Sequence, residues 1–178
     1  DRLSRGLGDV YKRQIEDEAR YLNLGQSLAG MDIPLTGSKI IEDGLQSNII
    51  EVNEDNLQIA SQMYLIASDY ANALPHALEL AEMSDSGDAW DSVGYIHYVM
   101  ANYDDAAEAF RAAIDKGNLS ERSDTLIFLA RALLELDDFD AAKSAARQAA
   151  DAGDADDRQS ANQYLTFIES TEQRYTII

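Results

Sequence analysis

The stretch WDSVGYIHYVMANYDDAAEAFRAA, residues 90–113, decides the fold of this chain. Residues three and four apart lie side by side on one face of a helix. In the first half of the stretch, four residues with that spacing mix large and small side chains: Trp90, Val93, Gly94 and His97. In the second half, three residues with the same spacing again mix large and small side chains: Ala106, Phe110 and Ala113. The small residues predict two helices in close contact, and we expect Trp90 and Phe110 to fill the space beside them.

The same arrangement recurs along the chain at spacings of 36, 33 and 36 residues. Each copy has a small residue at the matching place of its first helix: Gly25, Ser61, Gly94 and Ala130. An ordinary helical bundle has apolar stripes of helical period, but it does not require a small residue to recur in register. Four copies with this spacing and this pattern resemble the tetratricopeptide repeat (TPR), a helix-turn-helix unit of about 34 residues.

The resemblance implies an all-α fold: a right-handed superhelix of about four TPR helix-turn-helix repeats plus a C-terminal capping helix. Candidate helix caps and stops delimit the repeats: Asn53, Ser86, Ser120, Gly117 and Gly153. They place the repeats at about 18–52, 53–85, 86–121 and 122–152 within an array that covers residues 15–178. An amphipathic stretch at about 155–174 predicts the capping helix, whose polar face would close the open end of the array.

The first fourteen residues differ in charge from the rest of the chain. Residues 1–14 carry a net charge of +2, whereas the remainder carries −21. The tract RLSRGLGDVYKRQ resembles translated read-through of a sequencing adapter, so we expect a non-native tail; a native basic tail or loop is the alternative. The chain does not begin with methionine, and we therefore expect a truncated fragment.

Composition excludes several classes of function. The net charge of −19 repels phosphate backbones and anionic membrane surfaces, so we expect no nucleic-acid partner. The absence of cysteine excludes disulfides, thiolate zinc sites and CxxC redox chemistry. No apolar run reaches the length of a membrane-spanning helix, so we expect no direct membrane insertion of this fragment.

The sequence predicts no enzyme, no catalytic residue, no metal site and no cofactor. Its two histidines, His76 and His97, do not form an HExxH pair. His97 stands at a packing position of its helix, and we interpret it as structural. His76 is expected to be a surface or convex-side residue. The clusters of aspartates lack the pattern of a calcium loop, and we read them as helix starts, where negative charge is favourable.

A partner is expected in the concave groove that the first helices of the repeats line. Counting the positions between the packing residues gives these groove candidates: Gln58, Gln62, Asp88, Asp91, Tyr95, Tyr98, Ile127 and Arg131. Chaperone-docking TPR proteins grip a peptide carboxylate with basic residues and asparagine, and the corresponding places here hold Leu22, Gln58, Asp91 and Ile127. That clamp is absent. We expect a protein or peptide of basic and apolar character, anchored by Tyr95 and Tyr98; alternatively, the two tyrosines pack between neighbouring repeats.

The last third of the chain carries a second resemblance. The connection KGNL, residues 116–119, and the helix YLTFIESTE, residues 164–172, resemble the C-terminal part of bacterial TPR proteins assigned to TonB energy-transduction systems. The similarity spans roughly residues 20 to 174. The chain departs from those proteins by ending in QRYTII, where they often have a basic tail, and by its more acidic composition.

That resemblance implies a non-catalytic adaptor that binds a partner in a bacterial TonB-linked envelope complex, located in the periplasm. Three alternatives stay open. The chain could be an accessory TPR domain of an enzyme whose catalytic domain lies upstream. It could equally be a cytoplasmic scaffold, or a repeat protein without any connection to TonB.

Overall fold

A computed structural model of the protein describes residues 17–176, and these form nine helices and no strand. Helix α1 covers residues 17–30. The others are α2 (Pro34–Gln46), α3 (Glu54–Ile66), α4 (Tyr70–Met83), α5 (Asp88–Val99), α6 (Tyr103–Lys116), α7 (Arg122–Glu135), α8 (Phe139–Ala152) and α9 (Ala155–Thr176). The predicted all-α fold is confirmed. The adapter-derived tail predicted for residues 1–14 lies outside the described residues.

The described chain divides into two compact units at the Leu80–Ala81 bond, within α4. In unit 1, residues 17–80, a core cluster forms around Ile41, Ile50 and Met63. In unit 2, residues 81–176, α5 packs on α6, α7 on α8, and α9 on α8. Its largest core cluster contains Phe110, Leu133 and Ile168. Alanines dominate the rest of that cluster, which allows its helices to approach closely.

The turns inside the four successive helix pairs share one backbone geometry. Two residues before the second helix of each pair, a non-glycine residue adopts the left-handed conformation: Asp32, Ser68, Ala101 and Asp137, with φ between 56° and 62°. The next N–H in each turn donates to the carbonyl five residues earlier, for example Asn102 N to His97 O at 2.9 Å. This hydrogen bond satisfies a carbonyl at the end of the first helix. The same turn therefore joins α1 to α2, α3 to α4, α5 to α6 and α7 to α8.

The predicted close contact between the helices of residues 90–113 is present in unit 2. A Cβ atom added to Gly94 would lie 2.6 Å from the Cδ1 and Cε1 atoms of Phe110. Phe110 is fully buried. Trp90, by contrast, is only half-buried. Phe110 is therefore the main packing residue of this pair, and Trp90 keeps part of its indole in solvent.

His76 is more buried than the predicted surface position implies. Its side chain is only 13% exposed, and its Nε2 lies 2.6 Å from the Oε2 of Glu42. The imidazole stacks on the ring of Tyr64, with centroids 5.9 Å apart and an angle of 7° between the planes. Burial, reinforced by the charges of Glu42, Asp69 and Asp43, raises the pKa of Tyr64 to about 12. His76 thus joins α4 to α2 and α3 within unit 1.

Replacement of Phe110 by alanine tests which aromatic residue holds the helix pair together. Phe110→Ala should lower the free energy of unfolding by about 3–5 kcal/mol, because it leaves a cavity in a fully packed core. Trp90→Ala should cost less, because part of the indole is already in water. Urea unfolding of both variants measures the difference. An equal or larger loss for Trp90→Ala would contradict this assignment.

Candidate partner-binding surface

Helices α5, α7 and α9 form one side of unit 2, where α7 contacts both of its neighbours. Four aromatic residues and one arginine come together on these helices: Tyr95 and Tyr98 on α5, Phe128 and Arg131 on α7, and Tyr164 on α9. We call these five residues the aromatic surface. Tyr95 is 38% exposed, and the other four are partly buried.

Phe128 is the centre of the aromatic surface. Its ring stacks on the buried Phe110, with centroids 5.9 Å apart. The rings of Tyr95 and Tyr98 meet it edge-on, at 5.6 Å and 5.7 Å. Edge-to-face geometry is favourable for aromatic pairs and fixes their orientation. The core thus holds Phe128, and Phe128 in turn positions the two tyrosines.

Arg131 lies over two of these rings. Its guanidinium carbon is 4.9 Å from the centroid of Phe128 and 5.7 Å from that of Tyr164. Both are cation–π distances. Within the described part of the chain Arg131 forms no ion pair. The positive charge of Arg131 therefore interacts with ring faces, and the N–H groups of its guanidinium have no carboxylate partner among residues 17–176.

The hydroxyls of Tyr98 and Tyr164 stay protonated at neutral pH. Burial raises the pKa of Tyr164 to about 12, although the charge of Arg131 acts in the opposite direction. Burial likewise raises the pKa of Tyr98, again against the effect of Arg131. Both side chains are therefore neutral and can donate as well as accept a hydrogen bond.

Asp91 lies one turn before Tyr95 on α5, and its carboxyl group is mostly buried. Burial raises the pKa of Asp91 above its ordinary value, the nearby hydroxyl of Thr125 lowers it, and the charges of Asp88 and Asp124 raise it further. Its Oδ1 atom is buried and has no hydrogen-bond partner among the described residues. The ionised form of Asp91 is thus poorly solvated and faces negative neighbours.

The remaining groove candidates do not join the aromatic surface. The two carboxylate oxygens of Asp88 accept hydrogen bonds from the backbone N and the Oγ of Ser120, at 2.8 Å and 2.6 Å. Ile127 packs against a cluster that includes Ala149 and Ala161. Gln58 and Gln62 are exposed on α3 in unit 1, where Gln62 lines a cavity. The structure therefore brings together Tyr95, Tyr98 and Arg131, with Asp91 beside them on α5.

Phe128 and Tyr164 were missed by counting repeat positions. Phe128 directly follows the candidate Ile127 and is the only aromatic residue of α7. Its position as the single aromatic residue of α7 is the sequence signal that could have identified it as part of this surface. Tyr164 lies on the predicted capping helix, and its ring supports Arg131.

Neither a metal site nor a membrane span is found where the structure is described. No group of three or more histidine, aspartate or glutamate side chains in residues 17–176 is arranged to hold a metal ion. None of the helices in that range is both long and apolar enough to cross a bilayer.

Comparison with known proteins identifies the fold. No protein-family model matches the chain, and no curated protein does. A crystal structure of MamA superposes with a TM-score of 0.65 at 15% identity, covering 75% of this chain and 72% of MamA. A second MamA structure gives 0.64 at 13% identity, covering 87% and 98%. A candidate kinesin light chain from Podosopora anserina with nearly identical TPR-like repeats gives 0.67 at 10% identity, covering 89% and 88%. The chain therefore has a TPR-like helical-repeat fold.

The raised pKa of Asp91 predicts a pH-dependent effect of its removal. A raised pKa means that folding favours the protonated form of Asp91. The contribution of the protonated carboxyl group to stability is present at low pH, and it is lost as the pH rises through the folded-state pKa. Asp91→Asn should therefore unfold at a higher urea concentration than the wild type at about pH 7, and the gain should shrink as the pH approaches the ordinary aspartate pKa of about 3.9.

Glu108→Gln, on an exposed position of α6, is the matched control for Asp91→Asn and should show no such gain. The test is to measure the urea midpoints of unfolding for both variants between the ordinary aspartate pKa and about pH 7. A gain for Asp91→Asn that does not depend on pH would show that loss of the buried charge is not its cause.

Proposed function

We propose that the protein is a non-catalytic interaction scaffold that binds a segment of a partner protein on the aromatic surface of unit 2. The observation that carries this proposal is the arrangement of Tyr95, Tyr98 and Arg131 around Phe128. Tyrosine and arginine are enriched among the residues that dominate binding energy at protein interfaces. Here the core already orders them, so a partner would not have to meet the full entropic cost of fixing their side chains.

The acidic residues beside this surface favour a basic partner. Asp91 and Asp124 flank it, and neither forms an ion pair within the described part of the chain. A lysine or arginine side chain would supply the missing positive charge, and the tyrosine rings would accept an aliphatic or aromatic neighbour. The free N–H groups of Arg131 suit the backbone carbonyls of such a segment. We therefore propose a peptide of basic and apolar character.

We further propose a place for this scaffold in the bacterial envelope. The support is the resemblance of residues 116–119 and 164–172 to the TonB-associated TPR proteins. If this is right, genes for a TonB protein and its proton-channel subunits should lie next to the gene for this chain, and the protein should fractionate with the periplasm. A full-length reading frame that encodes a catalytic domain before Ile15 would overturn the adaptor proposal in favour of an accessory domain.

Selection from a phage-displayed random peptide library tests the binding surface. Peptides enriched on the wild-type protein should combine lysine or arginine with aromatic or aliphatic residues. The double substitution Tyr95→Ala and Tyr98→Ala should weaken their binding at least about tenfold, as expected for the loss of interface anchors. Fluorescence anisotropy of labelled peptides measures the affinities.

Tyr175→Ala provides the matched control, because Tyr175 is an exposed tyrosine, 60% accessible, that packs on Phe139 outside the aromatic surface. It should leave peptide affinity unchanged, and circular dichroism should show that the double variant keeps its helices. Equal affinity of the wild type and the double variant would place the binding site elsewhere.

A further inference from the structure

A cavity of about 310 Å³ opens between α6 and α8, the second helices of two successive pairs. Its floor consists of three leucines of α7, Leu126, Leu129 and Leu133, which are between 1% and 7% exposed. These leucines share one face of α7, whereas Phe128 and Arg131 lie on another, because residues three or seven apart face the same way and residues two apart do not. The cavity is therefore separate from the aromatic surface.

The cavity has space because α8 presents small side chains to it. Ala141, Ser144 and Ala145 line its α8 side, and Ile114 lines its α6 side as a partly buried residue. Apolar side chains that border an open volume lack some of the dispersion contacts that they would make in a close-packed core. An aliphatic group of about the size of a leucine side chain would supply such contacts to the floor and to Ile114.

Two opposite charges stand at the rim of the cavity, one helical turn apart on α6. Arg111 and Asp115 both line the cavity and are both exposed, and neither forms an ion pair within residues 17–176. A base that precedes an acid by four residues is the less favourable order for an ion pair on a helix. Both charges are therefore available to a ligand.

The opposite rim, on α8, is polar and uncharged. The amide nitrogen of Gln148 donates to the Oγ of Ser144 at 3.4 Å. The hydroxyl hydrogen of Ser144 has no acceptor among the described residues, so it can be donated to a ligand. The cavity thus combines an apolar floor with one positive charge, one negative charge and one hydroxyl donor at its rim.

We propose that this cavity binds a free α-amino acid with a branched aliphatic side chain, such as leucine. The guanidinium of Arg111 matches the α-carboxylate, because arginine presents parallel N–H donors to a carboxylate. The carboxylate of Asp115 matches the α-ammonium group, and the aliphatic side chain would lie on the leucines of the floor. The ligand is neutral overall, so the net charge of −19 on the protein does not repel it.

Three other classes of occupant match this rim less well. An aliphatic carboxylate would pair with Arg111, but Asp115 and the net charge of the protein oppose a ligand that is only negative. An aliphatic amine would pair with Asp115 and leave Arg111 without a counter-charge. A side chain of a partner protein carries a neutral peptide backbone, which matches neither charge.

Titration with matched small molecules, followed by ¹H–¹⁵N NMR, tests this proposal. L-Leucine should shift the amide signals of Ile114, Leu129 and Ala145 saturably, with a dissociation constant below about 10 mM. Three analogues should bind at least about tenfold more weakly, because each loses a charged hydrogen bond: 4-methylpentanoate lacks the ammonium group, 3-methylbutylamine lacks the carboxylate, and N-acetyl-leucine methylamide lacks both charges. Absence of a saturable shift with leucine, or equal binding of any analogue, would overturn the proposal.

Substitutions of the two charged residues locate the binding site. Arg111→Gln and Asp115→Asn should each weaken leucine binding at least about tenfold. Arg147→Gln on α8 and Asp104→Asn on α6 make the same changes at exposed positions outside the cavity lining, and should leave the affinity unchanged. Unchanged affinity in either cavity variant would contradict the assigned roles of these charges.

A substitution that fills the cavity separates this site from the aromatic surface. Ser144→Leu adds a bulky side chain from an exposed position of the lining and should abolish leucine binding. The double substitution Tyr95→Ala and Tyr98→Ala should leave leucine binding intact, so failure of this proposal and failure of the proposed function are distinguishable. Leucine binding that survives in a folded Ser144→Leu variant would assign the ligand to another site.

Discussion

The contact between the backbone of Gly94 and the ring of Phe110 is the constraint on which the organisation of unit 2 depends. Any side chain at position 94 would meet the ring at 2.6 Å, so α5 and α6 could not keep their present separation. The position of Phe110 then determines that of Phe128, which stacks on it. Phe128 in turn orients the rings of Tyr95 and Tyr98. A packing requirement within one helix pair therefore extends, through three ring contacts, to the surface proposed for the partner.

The sequence predicted the helix pairs but not the geometry of their turns. Large and small residues recur at fixed spacing because every pair meets the same packing requirement, and that requirement is readable in the sequence. The left-handed residue of each turn is Asp32, Ser68, Ala101 or Asp137, and none is glycine. Glycine is the usual sequence signal for this conformation. Here the hydrogen bond across each turn stabilises the left-handed residue. Because this bond joins two backbone groups, it does not require particular side chains, and the sequence does not reveal it.

The candidate surface was predictable only in part, for a related reason. Counting positions assumes that each side chain points away from its helix in an ideal direction. Three of the residues it selects, Tyr95, Tyr98 and Arg131, lie close together around Phe128. Counting could not show that Ser120, from the loop before α7, donates twice to Asp88. It also could not show that Ile127 packs on a cluster with residues of α8 and α9. Both outcomes depend on contacts between segments that are distant in sequence, as does the central role of Phe128.

Asp91 connects stability to the proposed binding role. Burial and the charges of Asp88 and Asp124 oppose its ionisation, so the folded protein would be more stable with a neutral residue at this position. Residues that reduce stability in this way are concentrated at functional sites, where the unfavourable charge serves an interaction with a ligand. A cationic side chain from a partner would remove the cause of the destabilisation, because it would supply the counter-charge that the described residues lack. The free energy lost in folding an ionised Asp91 would then be partly recovered on binding, and the same carboxylate would discriminate against acidic partners.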